Sequence, residues 1–166
     1  VTYVFRGEQL ERGLKDGKLR VRGIMMQDPR EPELVLDRPV EVEEGGVLIA
    51  RGNILVKAPV QSAPGSRIPL TLVSLEGKII LASERVDAAL VALGPRGAVE
   101  KFDRGPVQLR GGIATTILDL DSLARGVSSG SDPGKTLTWD DRLDPVKAGP
   151  DSLRLYLDTA RLVAVP

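Results

Sequence analysis

Val47-Leu48-Ile49-Ala50-Arg51-Gly52-Asn53-Ile54-Leu55-Val56 holds two short aliphatic strands around a tight Gly turn, and the phrase returns downstream. Leu70-Thr71-Leu72-Val73-Ser74 is followed by Glu76-Gly77-Lys78 and Ile79-Ile80-Leu81, and Ala89-Leu90-Val91-Ala92 by Arg96-Gly97-Ala98 and Val99. Gly112-Ile113-Ala114-Thr115 is a fourth version of the first strand. A third short element closes each turn: Ala58-Pro59-Val60, Glu84-Arg85-Val86 and Gly105-Pro106-Val107. Taking Ala50, Ser74, Ala92 and Ala114 as equivalent gives steps of about 24, 18 and 22 residues, within the range of solenoid repeats. Three elements per turn at this period predict an all-β fold, a short right-handed parallel β-helix in which each rung buries its apolar side chains only against the next. Glycine falls where the chain must turn sharply, and a positive φ is cheap only for glycine. The alternative is an antiparallel β-sandwich, whose hairpins also use Gly turns.

Outward from this block the β-character continues. Upstream, Lys18 to Ile24 alternates Leu19, Val21 and Gly23 with Lys18, Arg20 and Arg22, the pattern of a half-buried strand. Glu33 to Leu36 and Pro39 to Glu43 continue it with Val40 and Val42 inward, and Pro29, Pro32 and Pro39 keep the pieces short. Gly7 to Lys15 places Leu10 and Leu14 one helical turn apart between glycines, and reads as a loop or one or two helical turns. Downstream, the last strand runs through Ile117-Leu118-Asp119-Leu120-Asp121. The sequence then divides into N-terminal strands or a cap (1–44), a solenoid core (45–125), a loop flexible by composition (126–135) and a C-terminal cap or strands (136–166). Solenoids need caps, because an open terminal rung templates aggregation.

Composition bounds the chemistry. In 166 residues, 42% are hydrophobic but only 3% aromatic, so Leu, Val, Ile and Ala must fill the core, as stacked strands allow. Lys plus Arg equals Asp plus Glu at 23 each, which argues against a strongly basic nucleic-acid footprint. With no Cys and no His, thiol nucleophiles, Ser-His triads and Cys/His zinc sites are excluded. No apolar run approaches a membrane span, and Val1 to Glu8 does not read as a signal peptide. A start without Met is read as a trimmed chain, from which an export signal or membrane anchor could have been removed.

Carboxylates, Lys, Arg, Ser, Thr and Tyr remain. Asp119 and Asp121, two apart on a strand, share one face opposite Leu118 and Leu120. Such a pair can hold a cation or flank a glycosidic bond, or can be a solvated strand face. The only Trp, Trp139, stands beside Asp140 and Asp141, a pattern that suits sugar stacking or the end cover of an aliphatic core. Arg96, Arg104 and Arg110 flank turn glycines and can line one corner, as a ladder for anionic partners or as a soluble edge. Gly94-Pro95-Arg96-Gly97 lacks the Gly-Lys-Ser/Thr of a phosphate loop. No catalytic residue and no cofactor is assigned.

The block from Gly45 to Gly126 resembles the β-helical C-terminal domains of bacterial cell-surface proteins related to type IV pilus assembly, the minor-pilin-type and polymer-forming surface proteins. The resemblance is carried by Gly46 to Ile54, Pro69 to Ile79 and Val86 to Ala92, with Gly111-Gly112-Ile113-Ala114 and Trp139-Asp140-Asp141-Arg142-Leu143 as later echoes. Leu75-Glu76-Gly77 departs from the usual Asn-Gly turn, Trp139 replaces a typical Tyr, and the region to Asp37 has no counterpart. The resemblance implies an exported, non-enzymatic structural or adhesive domain at the bacterial surface or outside the cell, with the periplasm as an alternative. Its expected partners are proteins or surface glycans, not nucleic acid, and no membrane contact is expected within this stretch. A carbohydrate-binding or carbohydrate-active β-helix is the alternative function.

Overall fold

Short aliphatic runs broken by Gly, Pro and Asp cannot form long strands, and the fold is made of strands of three to eight residues. The structure is a computed structural model that describes residues 2–6, 10, 17–21, 23–103, 105–117 and 136–144. Three faces emerge, each a stack of parallel strands. The first is built from β1 (Thr2–Phe5), β3 (Ile24–Gln27), β6 (Val47–Ala50), β9 (Leu70–Ser74), β11 (Arg85–Ala92) and β14 (Ile113–Thr115). The second contains β2 (Lys18–Arg20), β5 (Val40–Glu44), β8 (Val60–Ser62), the start of β11, β13 (Gln108–Gly111) and β15 (Thr136–Trp139). The third holds β4 (Glu33–Leu36), β7 (Asn53–Val56), β10 (Ile79–Leu81) and β12 (Val99–Lys101).

Chain order visits the first, third and second faces in rotation, which makes a parallel β-solenoid of about four turns. Every strand pairing among the described residues is parallel, so the sandwich alternative fails; its hairpins require antiparallel neighbours. The ladder also extends upstream of Gly45, through β2 to β5. Leu10 has helical hydrogen bonding, its N–H donating to the Arg6 carbonyl at 3.2 Å, and is buried against the core at the N-terminal end.

Inside the solenoid, residues in register stack turn upon turn. Leu48, Leu72 and Leu90 form one column, flanked by the partly buried Met25 and Ile113. Leu34, Ile54, Ile79 and Val99 form a second, and Val40, Val60, Val86 and Leu109 a third. All these columns lie in one continuous core. Val47, Ile49 and Val73 alternate with the inward residues and form a separate buried cluster on the outward side of the first face. That face is therefore apolar on both sides.

Two expected equivalences shift. Ala92 pairs with Thr115 rather than Ala114, which lies beside Val91 and is exposed. Val86 pairs with Leu109 rather than Val107. A one-residue slip in a strand exchanges its two faces, so side-chain parity overrules the identity of the alanines.

The corner glycines also act differently from expectation. Positive φ among described glycines is confined to Gly17, Gly23 and Gly65. At Gly52 and Gly77 the requirement is close approach: a Cβ on Gly52 would lie 2.0 Å from the Pro32 carbonyl oxygen, and one on Gly77 would lie 2.5 Å from the Gly52 carbonyl carbon. Each corner rests on the backbone of the turn before it. Ser74, fully buried, fixes this stack by donating to the Gly52 carbonyl at 2.8 Å and accepting from the Gly77 N–H at 3.1 Å. Asn53 adds a bond, its Oδ1 accepting from the Lys78 N–H at 2.9 Å.

Candidate functional site: the C-terminal rung

Parallel pairs keep in-register side chains on one side of the sheet, so each new strand extends the columns beneath it. β15 continues the second face: Leu137 is in register with buried Leu109, and Trp139 with Gly111. Both side chains therefore take inward positions, yet Leu137 is 62% and Trp139 57% exposed. They are core positions on a rung that no other strand among the described residues covers. Trp139 leans over Gly112, where an added Cβ would lie 3.2 Å from the indole Cζ3 and 3.5 Å from Leu143 Cδ1.

The acids next to the Trp divide in role. Asp140 is buried, caps a 3-10 turn at Asp141–Leu143 and accepts from the Arg142 N–H at 3.0 Å. Arg142 grips the same carboxylate through Nε and Nη2, and Arg110 Nε lies 3.7 Å away. Arg142 also reaches back across the flank, donating from Nη1 to the Ser66 carbonyl at 3.1 Å and from Nη2 to Ser62 Oγ at 2.8 Å. Asp140 is thus the centre of a latch that fastens the last described segment to an earlier turn. Asp141 lies on the exposed side of the 3-10 turn. Asp119 and Asp121 lie outside the described residues.

Burial pushes the Asp140 carboxyl upward, but the hydrogen bonds and charge of Arg142, with Arg110 behind, hold it below the ordinary aspartate value of 3.8. A depressed folded-state pKa contributes stability that is present above the unfolded value and lost as pH falls through the folded one. Asp140→Asn should therefore lower stability by about 2 kcal/mol at neutral pH. It should also shrink the stability that the wild type loses below about pH 4. Urea titrations at several pH values measure both effects.

Of the three arginines read as able to line one corner, the two described ones lie apart. Arg110 belongs to β13 on the second face, Arg96 sits in the turn between β11 and β12, and Arg104 lies outside the described residues. A charge sequence reading missed stands at the end of the third face. The column Leu36, Val56, Leu81 ends in Lys101, whose side chain is 1% exposed and donates to Asp103 Oδ1 at 2.7 Å. That bond, with the Gly105 N–H, holds Asp103 below its ordinary value.

Elsewhere, a cleft of about 600 Å³ lies between the outer side of β5 and the 63–68 loop, with Arg20, Glu41, Glu43 and Arg67 among its walls. Glu43 is already held by Lys18 at 2.6 Å and Arg20 at 2.5 Å, and both cations lower its pKa. Among the described residues no group of three or more His, Cys, Asp or Glu could hold a metal ion. No helix there is long and apolar enough to cross a membrane. Compared with known proteins, the chain matches no family model, no curated protein and no solved structure.

Proposed function

We infer that the chain is a non-enzymatic structural or adhesive domain of a bacterial surface or pilus-associated protein, acting through protein–protein or surface contacts. The observation that carries the reading is the exposed apolar pair on the last described rung of a stacked solenoid. Leu137 and Trp139 occupy core positions yet face solvent, and exposed apolar groups of this kind mark interaction sites. The repeated columns behind them supply a stiff support, because each turn is fixed by the next. The bacterial-surface setting comes from the resemblance of Gly45 to Gly126 to pilus-related β-helical domains.

The test is accessibility in the source bacterium. A tagged form of the whole gene product should be cleaved by protease added to intact cells. Cleavage only after lysis would overturn the surface assignment. The second reading, carbohydrate binding, is favoured by one feature: an exposed Trp is a ready stacking platform for a sugar ring. Tight, Ca²⁺-dependent retention on a glycan array, lost in Trp139→Ala, would establish it in place of the scaffold.

A further inference from the structure

Among the described residues two carboxylates are buried, Asp87 and Asp140, and both stand at the corner where the second face passes into the first. β11 turns that corner at Asp87, between Val86 of the second face and Ala88 of the first. Asp140 follows β15, which lies on the second face. Ser62 joins the two: its N–H donates to Asp87 Oδ2 at 3.1 Å, and its hydroxyl accepts from Arg142 Nη2 of the latch. Guanidinium groups surround the pair. Arg85 Nη2 lies 3.5 Å from Asp87, and Arg110, in register with Asp87, brings Nε to 3.7 Å from Asp140.

We propose that this corner is an acid-released fastening: a proton taken up by Asp140 frees the 136–144 segment from the 62–68 loop, while the aliphatic columns stay folded. An ionised Asp140 accepts from the Arg142 N–H and side chain at once. A protonated carboxyl carries a hydrogen on one oxygen, which meets only donors there, and leaves the largely buried Arg142 without its counter-charge. The groups that face Asp140 set the direction of the response. Its own turn supplies Arg142, with exposed Asp141 beside it and Asp144 at the end of the turn, and β13 supplies Arg110. Across Ser62, β11 brings Asp87 and Arg85, and exposed Arg67 follows Ser66 in the loop. With one negative charge gone, the guanidinium groups at the corner repel.

The solenoid is held differently. Its columns of Leu, Ile, Val and Ala do not titrate, and their burial is indifferent to pH. Glu43, Glu100 and Glu76 join successive turns from the flanks, but they are 20%, 33% and 60% exposed, so their protonation is screened by solvent. One other pair responds to acid, buried Lys101 with Asp103 at the end of the third face, and Asp140→Asn leaves it intact as an internal reference. Release uncovers the Ser62 hydroxyl, the Ser66 carbonyl and Gly112 beneath the Trp139 ring. The device belongs to the folded chain itself and stands whether or not the protein lies at a cell surface.

Hydrogen exchange, divided by the intrinsic rate at each pH, tests the proposal on the whole chain. Between about pH 6 and about pH 3 the amides of 62–68 and 136–144 should lose protection at least about tenfold, while those of 47–56 and 70–81 change less than about threefold. Trp139, the only Trp, should become more open to acrylamide quenching over the same interval, before the far-UV circular dichroism changes. In Asp140→Asn both segments should be weakly protected already at about pH 6 and change little on acidification, whereas 99–103 keeps its wild-type response. Should that variant fail to fold, Ser62→Ala decides, because a looser grip moves the midpoint of release to higher pH. Unchanged protection of the two segments overturns the proposal, as does loss of all segments together. So does a wild-type acid response in Asp140→Asn, or an unmoved midpoint in Ser62→Ala.

Discussion

Leu72→Ala will lower the unfolding free energy by about 4 kcal/mol, in the upper part of the range for buried leucine truncations. Leu72 is fully buried and stacks in register between Leu48 and Leu90, both also fully buried. A cavity in this column has little means of collapsing. The turns on either side are held at ladder spacing by backbone bonds such as Thr71 N–H to the Gly46 carbonyl at 2.8 Å and Leu93 N–H to the Ser74 carbonyl at 2.9 Å. Urea denaturation followed by circular dichroism measures the loss, with exposed Lys57→Ala, expected within about 0.5 kcal/mol of wild type, as the reference. A second transition in Leu72→Ala would mean that turns above and below the gap unfold separately, as a chain of nearest-neighbour contacts allows. A cost under about 1 kcal/mol would show that the column is not a packed one.

Gly52→Ala is expected to cost about 3 kcal/mol or more, although it adds a single methyl group. The atom it meets is the backbone oxygen of Pro32 at 2.0 Å, which cannot move aside as a side chain would. To make room, the corner must lift off the turn beneath it, and the bond from Ser74 to the Gly52 carbonyl is lost with it. Gly23→Ala separates this cause from backbone conformation. Gly23 has φ of +73° and open space around its Cα, so alanine there should cost only about 1 kcal/mol. Equal losses at the two sites in the same denaturation assay would refute corner stacking.

The fold was legible because its period is carried by inward aliphatics. Val47 to Ala50, Leu70 to Ser74 and Ala89 to Ala92 pair in the register that their pattern implies. What misled the alignment of the last turn was residue identity: Ala114 matches the earlier alanines in type but takes the opposite side of the strand. The unbroken run Val47-Leu48-Ile49-Ala50 carried a further message, since parallel strands buried on both sides lose their alternation. Glycine at the corners was visible, but its cause was not. Sequence distinguishes poorly between a residue that must adopt positive φ and one that must simply have no side chain.

The end of the molecule was harder to read. Trp139-Asp140-Asp141 looked like one patch, and the structure splits it: the ring is exposed on the last described rung while Asp140 is consumed by Arg142. No local rule announces that Arg142 will find Ser62 and Ser66, because 76 and more residues separate the partners. Lys101 was hidden for a similar reason. Only the register of β10 on β12 reveals that it completes a column of Leu and Val.

That long-range grip by Arg142 bears on how the molecule would carry tension. A solenoid pulled by its end ordinarily peels one turn at a time from the terminus, since each rung holds only to its neighbour. Here the segment just past β15 is tied to the end of β8 and the loop after it, so a load entering there is shared with a turn deeper in the rod. The last described rung is relieved of part of the force, and rupture of the latch precedes the stripping of β15 from β13.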